Sequence, residues 1–298
     1  MGTFGCIVWS LVYFLDTTMS QAPPASASRS FHCVNDVSLC KDVVIDPRAG
    51  EANTPSTQLK VLTPQTDCPA GFFKCNSVVC GVPSVQPSPA NGYVTANSAP
   101  WQAYIASDTY GYIGGGVLVN QYNVVTAAHK VSNITNKPPV SIKVSLGMYT
   151  TASTQNVQVV QVSQIWQNSG YNAQYLKNDV AILRLATPIN FSANIRPICL
   201  PTAGKSYVTD STTNCLVTGW GQTNFNVIDA PTRTLKQAYV PIVSNDKCTA
   251  SYTQVLGAAY TAAYLDFPGE LCAGGQAQID ACTMADLHWF VETVPVLR

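Results

Sequence analysis

The sequence predicts an all-β fold, a multi-strand sandwich or barrel, on three observations. Val140, Ile142, Val144 and Leu146 alternate with polar neighbours, the two-residue period of a strand with one buried face. After Trp101, short apolar segments separated by turn residues recur, with no long amphipathic helix or internal repeat among them. Polarity comes from Ser, Thr, Asn and Gln rather than from charge: charged residues make up 11% of the chain, against about 25% in an ordinary globular protein. Abundant Val and Tyr complete the balance of a strand-rich extracellular protein.

The chain has 298 residues, enough for one large domain or two modest cores with a small appendage. Lys+Arg and Asp+Glu both number 16, so the net charge is zero and nothing attracts nucleic acid or an anionic membrane. The apolar run from Cys6 to Leu15 is too short to span a bilayer and fits the hydrophobic region of a signal peptide, with cleavage near Ser20. The expectation is a secreted, extracellular protein with no membrane span and residues 1–20 as the signal.

Eleven cysteines become ten when Cys6 leaves with the signal, an even number that implies a disulfide framework outside the cell. Their spacing has no zinc pattern, and His32, His129 and His288 are scattered, so neither a metal nor another cofactor is expected. Residues 21–30 are rich in Ala, Pro and Ser, and Cys33, Cys40, Cys68 and Cys75 follow in a stretch too short for a large core. Residues 21–80 therefore read as a small module held by two disulfides, and 81–100, rich in Pro, Ser, Asn and Gly, as a linker. In the body that follows, Val157 and Val159, then Val160 and Val162, alternate with a one-residue slip that predicts a bulge. Ser244 and Asn245, before Asp246, predict the cap of one short helix.

Gly114-Gly115-Gly116-Val117-Leu118-Val119-Asn120 is followed by Val124-Val125-Thr126-Ala127-Ala128-His129, and further on stand Asn178-Asp179-Val180-Ala181-Ile182-Leu183. Then come Arg196-Pro197-Ile198-Cys199-Leu200-Pro201, Thr218-Gly219-Trp220-Gly221, and the approach Cys272-Ala273-Gly274-Gly275 to Ile279-Asp280-Ala281-Cys282. Taken singly, His129 reads as a core histidine and Asn178-Asp179 as a turn. In this order, over residues 101–283, the blocks resemble those of the chymotrypsin and trypsin family of serine proteases. The resemblance implies a double Greek-key β-barrel in which His129 is the base and Asp179 its orienting carboxylate. It also implies the pairs Cys80–Cys199 and Cys248–Cys272, leaves Cys215 and Cys282 without partners, and puts Asp280 at the base of a specificity pocket selecting Arg or Lys. Asp280 is read as a retained acid without that use, because the residues expected to wall such a pocket are absent here. Asn133-Ile134-Thr135 and Asn190-Phe191-Ser192 are glycosylation sequons.

Several departures bear on activity. The family's two histidine-loop cysteines are replaced by Gly114 and Lys130, and this pattern is similar to that of the arthropod clip-domain serine protease homologues. No Lys or Arg lies between Lys74 and Lys130, and the family's Ile-Val-Gly-Gly start is missing, so the usual tryptic activation cut is not expected. Where Gly-Asp-Ser-Gly-Gly-Pro should follow Thr283, the chain reads Met284-Ala285-Asp286-Leu287-His288-Trp289. By count, Asp286 stands at the serine position and Met284 at the oxyanion glycine. Read in a shifted frame, Met284 to Val291 can encode Gly-Gly-Ser-Pro-Leu-Val-Cys, which puts glycine where the nucleophile belongs. The domain over 101–298 is expected to be incomplete after about 283, with the second barrel truncated.

The sequence thus predicts a secreted, non-catalytic serine protease homologue with His129 and Asp179 as a vestigial dyad, and the resemblance implies partners that are extracellular proteins, a protease or proenzyme of an immune or melanisation-type cascade among them. The alternative is an active trypsin-like endopeptidase with a misread carboxy-terminal exon, and a third reading is a non-functional truncated product.

Overall fold

The computed structural model describes residues 31–34, 44–45, 73–76, 78–134, 141–200, 214–221, 233–267, 269–274, 282–285 and 288–291. Near the amino terminus, β1 (Phe31–Val34) pairs antiparallel with β3 (Phe73–Asn76), and β2 (Val44–Ile45) lies parallel to β4 (Val78–Val79). The next strand, β5 (Gly92–Tyr93), belongs to a sheet formed much later in the chain.

A closed barrel follows. Its strands are β6 (Gln102–Ser107), β7 (Gly111–Asn120), β8 (Asn123–Thr126), β9 (Ile142–Leu146), β10 (Gln158–Gln167) and β11 (Ala181–Leu185), in the spatial order β10-β11-β8-β7-β6-β9. Closure satisfies every strand edge, which an open sheet of this length would leave exposed. The interior is filled by the inward-facing apolar residues of all six strands, among them Ile105, Val117, Val125, Val144, Val162 and Leu183. The β7–β8 turn is set by Asn120, whose Oδ1 accepts hydrogen bonds from the backbone amides of Tyr122 and Asn123, both at 2.9 Å.

The alternation of Ile142, Val144 and Leu146 is that of β9, while Val140 lies outside the described residues. The bulge is displaced from the position the valine pattern suggests. Val159 is exposed, Val160 and Val162 turn inward, and the register irregularity falls between Val162 and Gln164. There β10 leaves β9 as its partner and takes β11, so the slip serves the change of neighbour rather than the crowding of valines.

The second half contributes β12 (Asn214–Gly219) and β13 (Lys236–Pro241), which join β5 in a sheet ordered β12-β13-β5. Cys215, Val217, Val240, Ile242 and Ala273 form a separate small core. Two helices follow, α2 (Asn245–Leu256) and α3 (Ala258–Tyr264), and Ser244 caps the first by accepting from the Lys247 amide. One helix was expected there. Gly257, at φ 80°, ends α2 and starts α3, which no L side chain would do as readily. A last hairpin pairs β14 (Cys282–Ala285) with β15 (His288–Val291), so Met284 lies in a strand and Asp286 outside the described residues.

Gly116 shows how tight the first barrel is. A β-carbon there would sit 2.9 Å from Val124 Cγ1, 2.9 Å from the Val125 carbonyl oxygen and 3.0 Å from Ile105 Cδ1. Gly116→Ala is expected to lower stability by about 1–3 kcal/mol through overpacking, seen as a lower urea midpoint at unchanged slope. An unchanged midpoint would show that the barrel interior yields.

Candidate functional site

Strand register brings the two predicted site residues together. β8 and β11 run antiparallel with Thr126 opposite Ala181, so the chain leaving β8 and the chain entering β11 lie at the same barrel rim. His129 follows β8 by three residues in the one-turn helix α1 (Ala128–Val131), and Asp179 precedes β11 by two. Thr126 holds this rim to the neighbouring strand by donating its hydroxyl to the Gly115 carbonyl at 2.8 Å.

The Asp179 side chain is fully buried, and both of its oxygens are used by one residue. Oδ1 accepts from the backbone amide of His129 at 2.7 Å, and Oδ2 lies 2.6 Å from His129 Nδ1. The first bond fixes the histidine turn. In the tautomer that donates from Nδ1 to the carboxylate, Nε2 is the acceptor nitrogen of the ring. That Nε2 is buried and has no hydrogen-bond partner among the described residues. The arrangement can orient an imidazole as a base, and no described hydroxyl or thiol meets it.

Other groups around Asp179 were not read as functional in the sequence. Tyr171 is hydrogen-bonded to Ser132, and burial together with the Asp179 charge pushes its phenol up to about 12. Ser132 in turn donates to the His129 carbonyl at 3.3 Å. Asn178, immediately before Asp179, adopts φ 55° and donates its side-chain amide to the Gly170 carbonyl at 3.1 Å. Asparagine tolerates this left-handed backbone better than most residues. No pattern in the sequence marks Tyr171, which comes from a distant loop, or Ser132, which caps the one-turn histidine helix without a motif of its own.

Lys130 and Gly114 are neighbours in space. A β-carbon on Gly114 would lie 3.2–3.3 Å from Cγ, Cδ and Cε of Lys130, so the lysine stem covers the place where a side chain at 114 would stand. Burial pulls the Lys130 ammonium down to about 8, with the charge of Asp179 opposing the shift. The lysine stem occupies the slot that a disulfide fills in the family resembled, and it does so without a covalent bond.

The Asp179 loop also packs on the second half. Tyr175 and Leu176 lie against the cluster of Cys248, Tyr264 and Cys272, where the structure joins Cys248 to Cys272. Leu176 has φ 52°, a left-handed conformation held by this packing. Glu270 is also buried; its Oε2 accepts from the Asp266 amide at 3.0 Å and its Oε1 has no partner among the described residues. Burial pushes the Glu270 carboxyl up to about 7; the Asp266 amide bond and Lys177 oppose the rise, and the Asp266 charge adds to it.

Of the remaining sequence-derived positions, Cys80 and Cys199 are joined, and Asn190 is exposed, its backbone bonded on both sides by the Gln158 side chain. Asn133 lies in a 3-10 turn, Ser132–Ile134. Cys215 is a free, buried thiol pushed up to about 12 by burial. Asp280 lies outside the described residues. Among the described residues no group of His, Cys, Asp and Glu could hold a metal ion, and no helix is long and apolar enough to cross a membrane.

The sequence model of the Trypsin family matches residues 91–283. The chain belongs to the trypsin family. The closed six-strand barrel and the mostly β architecture agree with the chymotrypsin-like fold. Two curated relatives illustrate the range. Inactive CLIP domain-containing serine protease A3 of Aedes aegypti is 34% identical over 236 residues, covering 75% of this chain and 48% of that protein. Chymotrypsin-C of Rattus norvegicus is 31% identical over 225 residues, covering 72% of this chain and 76% of that protein. The chain thus spans about half the length of the first relative, and the two names differ on activity.

Two measurements check this trypsin-family site. In Gly114→Cys/Lys130→Cys, the new sulfur at 130 would stand near the present Cγ, 3.3 Å from a β-carbon at 114, within reach of a disulfide. The oxidised variant is expected to be about 2–3 kcal/mol more stable than its own reduced form, with no gain in titratable thiols over the parent. Two additional reactive thiols in the native variant would contradict the contact. For Glu270, the folded-state pKa of about 7 lies above the ordinary 4.5. The folded chain therefore holds the proton more tightly, and its stability falls as pH rises from near 4.5 through about 7. Glu270→Gln is expected to remove a decline on the order of 2 kcal/mol, measured as the urea midpoint against pH. A parallel decline in the variant would place the titration elsewhere.

Proposed function

We propose that the protein is a secreted, non-catalytic member of its family that acts by binding other extracellular proteins, a protease or proenzyme of an immune or melanisation-type cascade among them. One observation carries this reading: His129 and Asp179 are set as a base and its orienting carboxylate, yet Nε2 faces no nucleophile among the described residues. The sequence supports it, with Met284-Ala285-Asp286 where Gly-Asp-Ser is expected. A carboxylate at the nucleophile position gives a mixed anhydride rather than an ester acyl-enzyme, and methionine in place of glycine crowds the oxyanion site. The relative named as an inactive CLIP domain-containing serine protease supports the same class. Asp280, by resemblance at the base of the specificity pocket, is then a retained acid, and the former substrate cleft is the default binding surface. The even cysteine number after removal of Cys6 and the apolar Cys6–Leu15 stretch support secretion.

A second reading is favoured by the geometry of the pair itself. Preserved hydrogen bonds at 2.6 and 2.7 Å are what a working triad needs, and Chymotrypsin-C is among the relatives. An active endopeptidase with a different segment after Thr283 would share the described features up to Gly274 and lack the β14–β15 hairpin. Purified protein is expected to hydrolyse an arginyl ester no faster than buffer and to take no label from a fluorophosphonate. Ester hydrolysis that His129→Ala abolishes would establish the endopeptidase instead.

A further inference from the structure

We infer that residues 80–93 form a fixed strap between the two halves of the body, so that the segment preceding the trypsin domain cannot serve as an activation switch. Composition alone makes this stretch a connector, with Pro83, Pro87 and Pro89 and a run of small polar residues. The structure fastens it at successive points. Cys80, the residue after β4, is joined to Cys199, and the Gly81 amide donates to the Pro197 carbonyl at 2.9 Å. The Ser84 hydroxyl donates to the Ala193 carbonyl. These three anchors lie on the chain leaving the closed barrel.

The strap then crosses to β13. The Gln237 side chain, 4% exposed, donates through Nε2 to the carbonyls of Ser88 at 2.8 Å and Ala90 at 2.7 Å. The Tyr239 hydroxyl reaches the same Ser88 carbonyl at 2.9 Å, and the Tyr239 amide donates to Asn91 Oδ1 at 2.8 Å. β5 completes the crossing by pairing Gly92 with Gln237 and Tyr93 with Lys236. Because carbonyl oxygens only accept, the orientation of the Gln237 amide is settled by its two partners. Prolines at 83, 87 and 89 have no amide hydrogen to satisfy and hold φ near the extended value, so the strap needs few donors' partners of its own.

An activation switch of the family's kind needs this segment to be cut and its new amino end to move. Here the carbonyls around such a cut are each held by buried or half-buried donors of β13, and release would strand the Gln237 amide without acceptors. The strap therefore does more than lack a basic cleavage residue. It fixes how the closed barrel and the β12-β13-β5 sheet face each other, and so the shape of the cleft that the binding reading uses.

The test places a cleavage residue on the exposed face of the strap. In Ala90→Arg, trypsin cleavage of the bond after position 90, followed by mass spectrometry under native conditions, is expected to be at least tenfold slower than in the same variant carrying Gln237→Ala and Tyr239→Phe. Equal rates in the two backgrounds would overturn the strap. Should the triple variant fail to fold, Asn91→Ala in the otherwise unaltered chain removes only an exposed acceptor. It is expected to speed hydrogen exchange at the Tyr239 amide at least tenfold, and no change there would count against the proposal. The strap goes beyond the binding reading and can fail separately: ester hydrolysis would overturn that reading and leave the strap standing, whereas free cleavage after position 90 would do the reverse.

Discussion

A fully buried carboxylate, Asp179, is the constraint around which the histidine turn at the barrel rim is organised. The Asp179 side chain has no surface exposed to bulk solvent, so its two oxygens need fixed donors, and His129 supplies both. One bond is to the backbone amide and secures the turn; the other is to the ring and secures its orientation. Tyr171 and Lys130 both carry protonation equilibria that the Asp179 charge shifts toward the protonated form. Losing a nucleophile does not remove the need to satisfy this charge. The pair can therefore persist as a structural feature in a chain that no longer hydrolyses anything, and its presence is not by itself a sign of activity.

The histidine loop shows how a covalent restraint is exchanged for packing. Gly114 offers no side chain, and the Lys130 stem lies across it, so the space is filled and the loop stays against β7. The substitution works only as a couple. A larger residue at 114 would collide with the lysine, and a shorter one at 130 would leave a void beside the barrel wall. The ammonium ends in a site where burial weakens its hold on the proton and Asp179 partly restores it. The dyad and the exchanged cross-link thus share one electrostatic neighbourhood.

Beyond the barrel, the Asp179 loop leans on the second half through Tyr175 and Leu176, and the strap ties the amino-terminal side to β13. The left-handed backbone at Leu176 and Asn178 is tolerated because contacts on both sides define it. Local strain of this kind is held where two cores meet. The loop that carries Asp179 is consequently positioned by residues more than sixty places further along the chain, Cys248, Tyr264 and Cys272 among them.

The sequence by itself determined the fold class and the identities of the paired residues. Strand alternation at Ile142, Val144 and Leu146 is a local signal, and the blocks around His129 and Asp179 are legible through their order along the chain, although either residue taken singly is not. It also marked Gly114 and Lys130 as replacements and Met284-Ala285-Asp286 as a break in the pattern. Only the tertiary structure decided that Lys130 lies over Gly114, that Tyr171 and Ser132 close around the dyad, and that Glu270 is buried. It also placed the bulge of β10 after Val162, where the strand changes partner, and turned a Pro- and Ser-rich connector into a fastened segment. Apart from Ser132, which bonds back to His129 three residues earlier, these are contacts between residues distant in the chain, fixed by barrel closure and register, and no periodicity or composition of either partner records the other.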